Sequence, residues 1–229
     1  MKKKDQKKVV RRPPVIARAP EPLRLDLGSG PRPAEGFKGV DIVEGVTDFT
    51  FDLCSGYRWP WPDNSIDELR SCHFIEHIRA DYVGDRVHVQ APASRVIDAL
   101  LFFFDEAFRI AKPGAVFTLQ WPALQSVRAF QDPTHRRFIP PQMTLYLTRE
   151  GRKAMGVEHY GATCNWIGEC YPTFLIPPET DEDKAMALRA DASDEKQAWA
   201  KRRAEDQQRR YNETWNFSQD FIATLRAVK

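Results

Sequence analysis

The sequence predicts an α/β protein built on a mostly parallel, doubly wound sheet, and three observations carry that expectation. Leu23–Leu27 is an apolar strand with an acid in it, and it runs straight into the turn Gly28-Ser29-Gly30. A second short strand, Gly39–Ile42, follows with Asp41 near its carboxyl end. Residues 95–111 then place Val96, Leu100, Phe103, Phe104, Ala107 and Phe108 at three- and four-residue spacing, and Lys112-Pro113-Gly114 ends that helix before the apolar run Ala115–Trp121. A hydrophobic period that changes from two to 3.6 and back is the pattern of strands joined through helices.

The elements follow in order. Residues 1–22 open the chain with eight Lys or Arg before position 21 against one acid, Asp5, and carry Pro13, Pro14, Pro20 and Pro22. Such a segment has no face to bury and is expected as a disordered basic arm. No aromatic residue interleaves its charges to stack on bases, which favours a solubilising tail over a nucleic-acid grip. The overall net charge of +2 conceals this division between a basic arm and a mildly acidic body.

Thr47–Phe51 is expected as a third strand, and Ser65–Cys72 as a fourth, entered through the turn Pro62-Asp63-Asn64. Residues 73–83 are expected to begin a short helix and 84–94 to form a loop. After the helix and the fifth strand, 142–155 is expected to be helical. Cys164–Cys170 and Tyr171–Ile176 have strand character that Pro177 and Pro178 end. The segment at about 179–210 has acids early (Glu179, Asp181, Glu182, Asp183) and bases late (Lys201, Arg202, Arg203, Arg209, Arg210), which complements a helix dipole.

Composition bounds the class. The chain has 229 residues, 42% hydrophobic and 29% charged, enough for one domain with a full core. Its longest apolar run, Ala99–Phe104, is far too short to cross a bilayer. No apolar stretch follows the basic N-terminus, so no secretory signal is read there. Cys54, Cys72, Cys164 and Cys170 form no Cys-x-x-Cys pair and are expected as reduced thiols in a cytoplasmic protein.

The glycine turn narrows the ligand. Glycine at 28 and 30 lets the backbone turn sharply and come close to a ligand. A carboxylate at the tip of the second strand can accept hydrogen bonds from both hydroxyls of a ribose. The third glycine of a dinucleotide fingerprint is missing, and Pro31 and Pro33 forbid a regular helix directly after the turn. No helix N-terminus is then available for a pyrophosphate, which argues for a nucleoside ligand and against NAD or FAD.

In Leu25-Asp-Leu-Gly-Ser-Gly30, Gly36-Phe-Lys-Gly-Val-Asp-Ile42, Phe51-Asp-Leu53 and Trp61-Pro-Asp-Asn-Ser-Ile-Asp67 the chain resembles the class I S-adenosylmethionine-dependent methyltransferases. The likeness continues through His73-Phe-Ile-Glu-His-Ile78, Arg109-Ile-Ala-Lys-Pro-Gly114 and Asp132-Pro-Thr-His-Arg136, in the family's order, over roughly 23–139. It implies a Rossmann-like, seven-stranded sheet whose last strand, placed at 220–228, runs antiparallel beside the fifth. Residues 23–229 then form one methyltransferase domain, with a charged helical insertion at about 177–212. It also implies that the short connection from Gly30 to Gly39 does without the usual crossover helix.

The resemblance implies S-adenosyl-L-methionine as cofactor, held by Asp26, Gly28, Ser29, Gly30, Asp41, Ile42, Asp52, Leu53 and His73. Asp26 is expected at the methionine ammonium, its plainer alternative being a turn acid that accepts backbone N–H groups. Asp41 is expected on the ribose, and Asp52 near the adenine amino group or in a cap. His73, His77 and His135 are the candidate catalytic residues, since histidine can act as a base near neutral pH. Glu76 could pair with a neighbour or cap a helix, and Arg136 or Arg137 could bind an anionic group. His73-x-x-Glu76-His77 also has the form of an inverted zinc motif. The segment after it offers no third ligand, so no metal is expected. Trp59, Trp61 and Trp121 are expected in the core more than on a pocket wall.

The acceptor is left unidentified. No Pro-Cys dipeptide exists, and no Asn- or Asp-Pro-Pro-aromatic run follows the fourth strand. Nucleic acid is therefore disfavoured, and a small molecule or a sugar or lipid intermediate is preferred. The alternative function is a catalytically silent relative that keeps the fold as a binding or scaffold module. Oligomeric state is not legible.

Overall fold

A computed structural model of the chain describes residues 22–84, 96–174, 197–199, 201–202, 205 and 218–229. The basic arm up to residue 21, most of the loop expected at 84–94 and nearly all of the insertion expected at 177–212 lie outside the described residues.

Among the described residues nine strands form in chain order. They are β1 (Arg24–Leu27), β2 (Lys38–Asp41), β3 (Phe49–Thr50), β4 (Ile66–Cys72), β5 (Tyr82–Gly84), β6 (Val96–Asp98), β7 (Ala111–Pro122), β8 (Trp166–Phe174) and β9 (Ser218–Ala227). Among the described residues they are accompanied by α1 (Ala99–Ile110), α2 (Arg128–Gln131) and α3 (Arg149–Met155), and 197–199, 201–202 and 205 are also helical. Seven strands make one sheet in the order β3-β2-β1-β4-β7-β9-β8, while β5 and β6 form a separate antiparallel ribbon. The pairs from β3 to β7 are all parallel, and β9 runs antiparallel to both neighbours. This is a Rossmann-like α/β sheet, with its antiparallel last strand beside the fifth strand of the large sheet as expected.

The connection from β1 to β2, residues 28–37, contains no helix. Parallel strands normally need a longer crossover. Here a tight turn, Phe37 N–H to the Ala34 carbonyl at 3.0 Å, and the Asp26 carboxylate, which accepts from Ala34 N at 2.9 Å, fold the short connection back. Gly39 makes the shortcut possible: a Cβ there would lie 2.6 Å from Ser29 Oγ.

Helix α1 is buried at every residue except Arg109, its charged Asp105 and Glu106 included. Phe103 packs between Trp59 and Phe117, and Phe108 meets Trp166. Trp59, Trp61 and Trp121 belong to this core. Buried Asp105 accepts from Thr163 N and Cys164 N at 2.9 and 2.8 Å, which ties the helix to the entry of β8. Replacing Asp105 by alanine strands those two amides and is expected to cost about 3 kcal/mol in urea unfolding. A loss under about 1 kcal/mol would contradict this tie.

Several boundaries differ from the sequence-based expectation, each for a local reason. Instead of a helix over 73–83 there is a single 3-10 turn, Ile75–His77, followed by β5. His73 sits at φ +52°, outside the right-handed helical region, and the Glu76 carbonyl accepts from Arg136 N and Arg137 N rather than from a following helical amide. The long helix starts at Ala99, not at 95. The Asp98 carboxylate caps it by accepting from Leu100 N at 2.9 Å, while Val96–Asp98 pairs with β5. The helix over 142–155 is divided at Thr148, whose extended backbone separates a 3-10 stretch, Pro141–Leu147, from α3. Thr148 Oγ1 caps α3 through Gly151 N at 2.9 Å. Strand β7 begins at Ala111 rather than 115, since the chain pairs with β4 before Gly114 as well as after it.

Candidate functional site

Gly28, Ser29, Gly30, Asp41 and Ile42 lie at the carboxyl ends of β1 and β2, Asp52 and Leu53 just past β3 and His73 just past β4, the edge where parallel sheets bind ligands. Gly28 and Gly30 have φ of +71° and +55°, the left-handed region that favours glycine. The Val40 carbonyl accepts from Gly28 N at 2.8 Å, which clamps the turn to β2. Asp41 completes it: Oδ2 accepts from Gly30 N at 2.9 Å and Oδ1 from Val43 N at 3.2 Å. Each oxygen keeps a lone pair for a further donor.

Beside Asp41 lies a cavity of about 230 Å³, whose walls include Ile42, Phe51, Asp52, Leu53 and Phe74. That is less than the usual volume of a drug-sized ligand site and suits one half of a larger molecule. Ile42 is 64% exposed at its lip, a large aliphatic left in water where an apolar ring could cover it. Asp52 Oδ1 accepts from Cys54 N at 2.8 Å, so this acid both turns the chain and lines the cavity. Burial first, and then the charge of Asp52, push the Cys54 thiol up to about 12, which keeps it neutral.

Asp26 stands apart from this cavity. It is fully buried, and its Oδ2 accepts from Arg70 Nη1 at 2.6 Å and from Ala34 N. Its Oδ1 has no hydrogen-bond partner among the described residues. Phe74 covers Gly28 so closely that a Cβ there would be 2.1 Å from its ring, whereas a Cβ on Gly30 would meet nothing within 4 Å. The open side of the turn is therefore at Gly30.

A second cavity, of about 220 Å³, lies on the other side of His77, which lines both. Its walls bring together the three expected histidines, His73, His77 and His135, with Glu76, Arg128 and Asp132. His73 Nδ1 is 3.2 Å from Glu76 Oε1, and its Nε2 is 3.5 Å from Asp220 Oδ2. Hydrogen bonds to Asp220 and then to Glu76 raise its pKa to about 9 against the opposing effect of burial. At neutral pH His73 is then an imidazolium that donates to two carboxylates. Arg128 Nη2, 3.4 Å from the same Nε2, is a second donor converging on Asp220 rather than a partner of the ring. Burial opposes ionisation of Asp220, yet hydrogen bonds from His73 and Gln120 hold its carboxyl below the usual range.

His77 and His135 meet edge to face, 4.7 Å between centroids. His135 Nδ1 lies 2.8 Å from the Ala129 carbonyl, and His77 Nδ1 lies 3.0 Å from Thr134 Oγ1. Thr134 Oγ1 also lies 2.6 Å from Asp132 Oδ1, and hydrogen bonds from Thr134 hold that carboxyl below its ordinary range. Arg137 is engaged by the carbonyls of Ile78 and Arg79 and by Asp98. Arg128 and Asp220 carry no local sequence signal: the first sits in a single helical turn and the second reaches the cavity only because β9 pairs with β7.

No protein-family model matches the chain, and no curated protein matches it either. Among solved structures, an S-adenosylmethionine-dependent methyltransferase from Archaeoglobus fulgidus is 17% identical, with 90% of this chain and 86% of that one covered and a TM-score of 0.49. One from Mesorhizobium loti is 13% identical over 89% and 90%, with a TM-score of 0.42. Haemonchus contortus phosphoethanolamine N-methyltransferase 2 is 14% identical over 92% of this chain and 50% of its own, with a TM-score of 0.40. Likeness at this level fixes neither family nor activity.

Proposed function

We propose that the protein is an S-adenosylmethionine-dependent methyltransferase acting on a small-molecule acceptor. The observation that carries this reading is the Asp41 carboxylate, held at the end of β2 by the Gly30 amide and set in the wall of a cavity sized for a nucleoside. A vicinal diol is the ligand group that uses both free lone-pair directions of such an acid. Ile42, Phe51 and Leu53 supply apolar surface for a purine, and Asp52 an acceptor for its amino group. The residues present fit the nucleoside half of the cofactor.

When bound, the cofactor supplies a methyl group on a sulfonium, already electrophilic. The chain's task is to hold donor and acceptor in line and keep water out. His77, common to both cavities, stands at their boundary, and Glu76, His135 and Arg128 form the polar walls an acceptor meets beyond it. The second cavity is no larger than the first, room for one small reacting group. Asp26 belongs in this scheme to the support of the turn, through Ala34 N and Arg70.

The reading is tested by thermal melts with S-adenosylhomocysteine, adenosine and methionine separately. Adenosine and S-adenosylhomocysteine are expected to raise Tm at concentrations above their Kd, and methionine alone to leave it unchanged. A rise with methionine and none with adenosine contradicts the nucleoside assignment.

A further inference from the structure

We infer that Glu76, His77 and His135 form a binding site for a single zinc ion, with an open coordination position facing the second cavity. One ligand atom from each of the three side chains lies within 4.8 Å of the others. In the sequence His77 has no third ligand near it; the fold supplies one from the loop after α2. Backbone hydrogen bonds from Arg136 N and Arg137 N to the Glu76 carbonyl, at 2.8 and 3.0 Å, hold that loop against the 3-10 turn.

Hydrogen-bond logic fixes which nitrogens are available. A carbonyl only accepts, so His135 Nδ1 must carry the proton it shares with the Ala129 oxygen. Thr134 has one hydroxyl proton, and at 2.6 Å it goes to the Asp132 carboxylate. His77 Nδ1 must then donate to Thr134 Oγ1. With Nδ1 of each ring engaged in this way, Nε2 is the nitrogen left to face a metal. Outer-shell acceptors that fix the tautomer of a liganding histidine in this way, one backbone carbonyl and one hydroxyl backed by a carboxylate, are a recurrent companion of metal sites.

The carboxylate provides an independent sign. Glu76 is 2% exposed, and its Oε2 has no hydrogen-bond partner among the described residues. An unpartnered buried carboxylate oxygen is costly, and a cation beside it removes the cost. Two imidazoles and a carboxylate are the donor set of open zinc sites, whereas magnesium prefers oxygen ligands and water. Zinc–nitrogen bonds of about 2.0–2.1 Å require the ligand atoms to close by roughly an ångström, within the reach of side-chain rotation. The remaining position takes an oxygen donor, a water or an acceptor hydroxyl or carboxylate, in the cavity bounded by Arg128 and Gln131. The site does not depend on the cofactor reading; only the identity of that oxygen donor does.

The test is calorimetric titration of chelator-stripped full-length protein with Zn2+ alone, no nucleoside present, alongside Co2+ followed by visible absorption. One ion per chain is expected, with a Co2+ spectrum lacking the thiolate charge-transfer band that the four cysteines would give. His135→Ala is expected to weaken zinc by at least about 100-fold and Glu76→Gln by about 10-fold, on the scale of lost metal ligands and their supports, with each variant shown to be folded by its melt. No stoichiometric zinc binding by the wild-type chain overturns the inference. So does a cysteine-type Co2+ spectrum, a preference for Mg2+, or zinc affinity unchanged in both variants.

Discussion

Asp41→Ala is expected to raise the Kd for S-adenosylhomocysteine by about 100-fold or more. Two contributions add. A diol bound by a carboxylate makes charge-assisted hydrogen bonds worth about 1.5–3 kcal/mol each, and about 2.7 kcal/mol is already 100-fold. The same substitution also frees Gly30 N and Val43 N, so the turn loses the brace that keeps its open side in place. Asp41→Asn keeps an acceptor oxygen and removes the charge, and its Kd should fall between the two. Because Asp41 is only partly buried, the melting temperature of the ligand-free variant should change little. Calorimetry on the three proteins decides it: affinity within about threefold of wild type for Asp41→Ala removes the ribose assignment.

Gly28→Ala is expected to be the most damaging of the turn substitutions for stability. The new methyl group would lie 2.1 Å from Phe74 Cδ2, and the residue would have to keep φ near +71°. A left-handed conformation costs a residue with Cβ about 1–2 kcal/mol, and overpacking against a ring adds about 1–3 kcal/mol. A total near 3 kcal/mol in urea unfolding follows. Gly30→Ala is the internal control, since φ is +55° but nothing lies within 4 Å of its Cβ. It should lose only the conformational part, about 1–2 kcal/mol. Phe74→Leu placed in the Gly28→Ala background should recover part of the loss. Equal destabilisation by the two alanines would show that Phe74 does not press on the turn.

The parallel sheet was legible because its strands announce themselves locally. Leu25 and Leu27 alternate with polar residues before a glycine turn, and the helix around Phe103 and Phe104 repeats apolar residues at three- and four-residue spacing. The cavity beside Asp41 was legible for a related reason: its residues end consecutive strands, and strand ends are where this architecture places ligands. What stayed hidden depends on contacts far apart in the chain. The 3-10 turn at Ile75–His77 replaces a helix because its carbonyl is taken by Arg136 and Arg137. The partner of His73 is Asp220, brought there by the pairing of β9 with β7. His135 was a candidate by its motif, but its edge-to-face contact with His77 depends on the fold. Asp26 was read as a ligand contact or as a turn acid that accepts backbone N–H groups, and in the fold its Oδ2 accepts from Arg70 and from Ala34 N.

The crevice at the ends of β1 and β2 is proposed to bind a nucleoside cofactor of the methyl-donor type. The most direct measurement is calorimetric titration of the wild-type protein with S-adenosylmethionine, S-adenosylhomocysteine and NAD in parallel. One-to-one, micromolar binding of the first two and none of the third is expected, since no helix N-terminus follows Gly30 to take a pyrophosphate. Binding of NAD, or of none of the three, would contradict it.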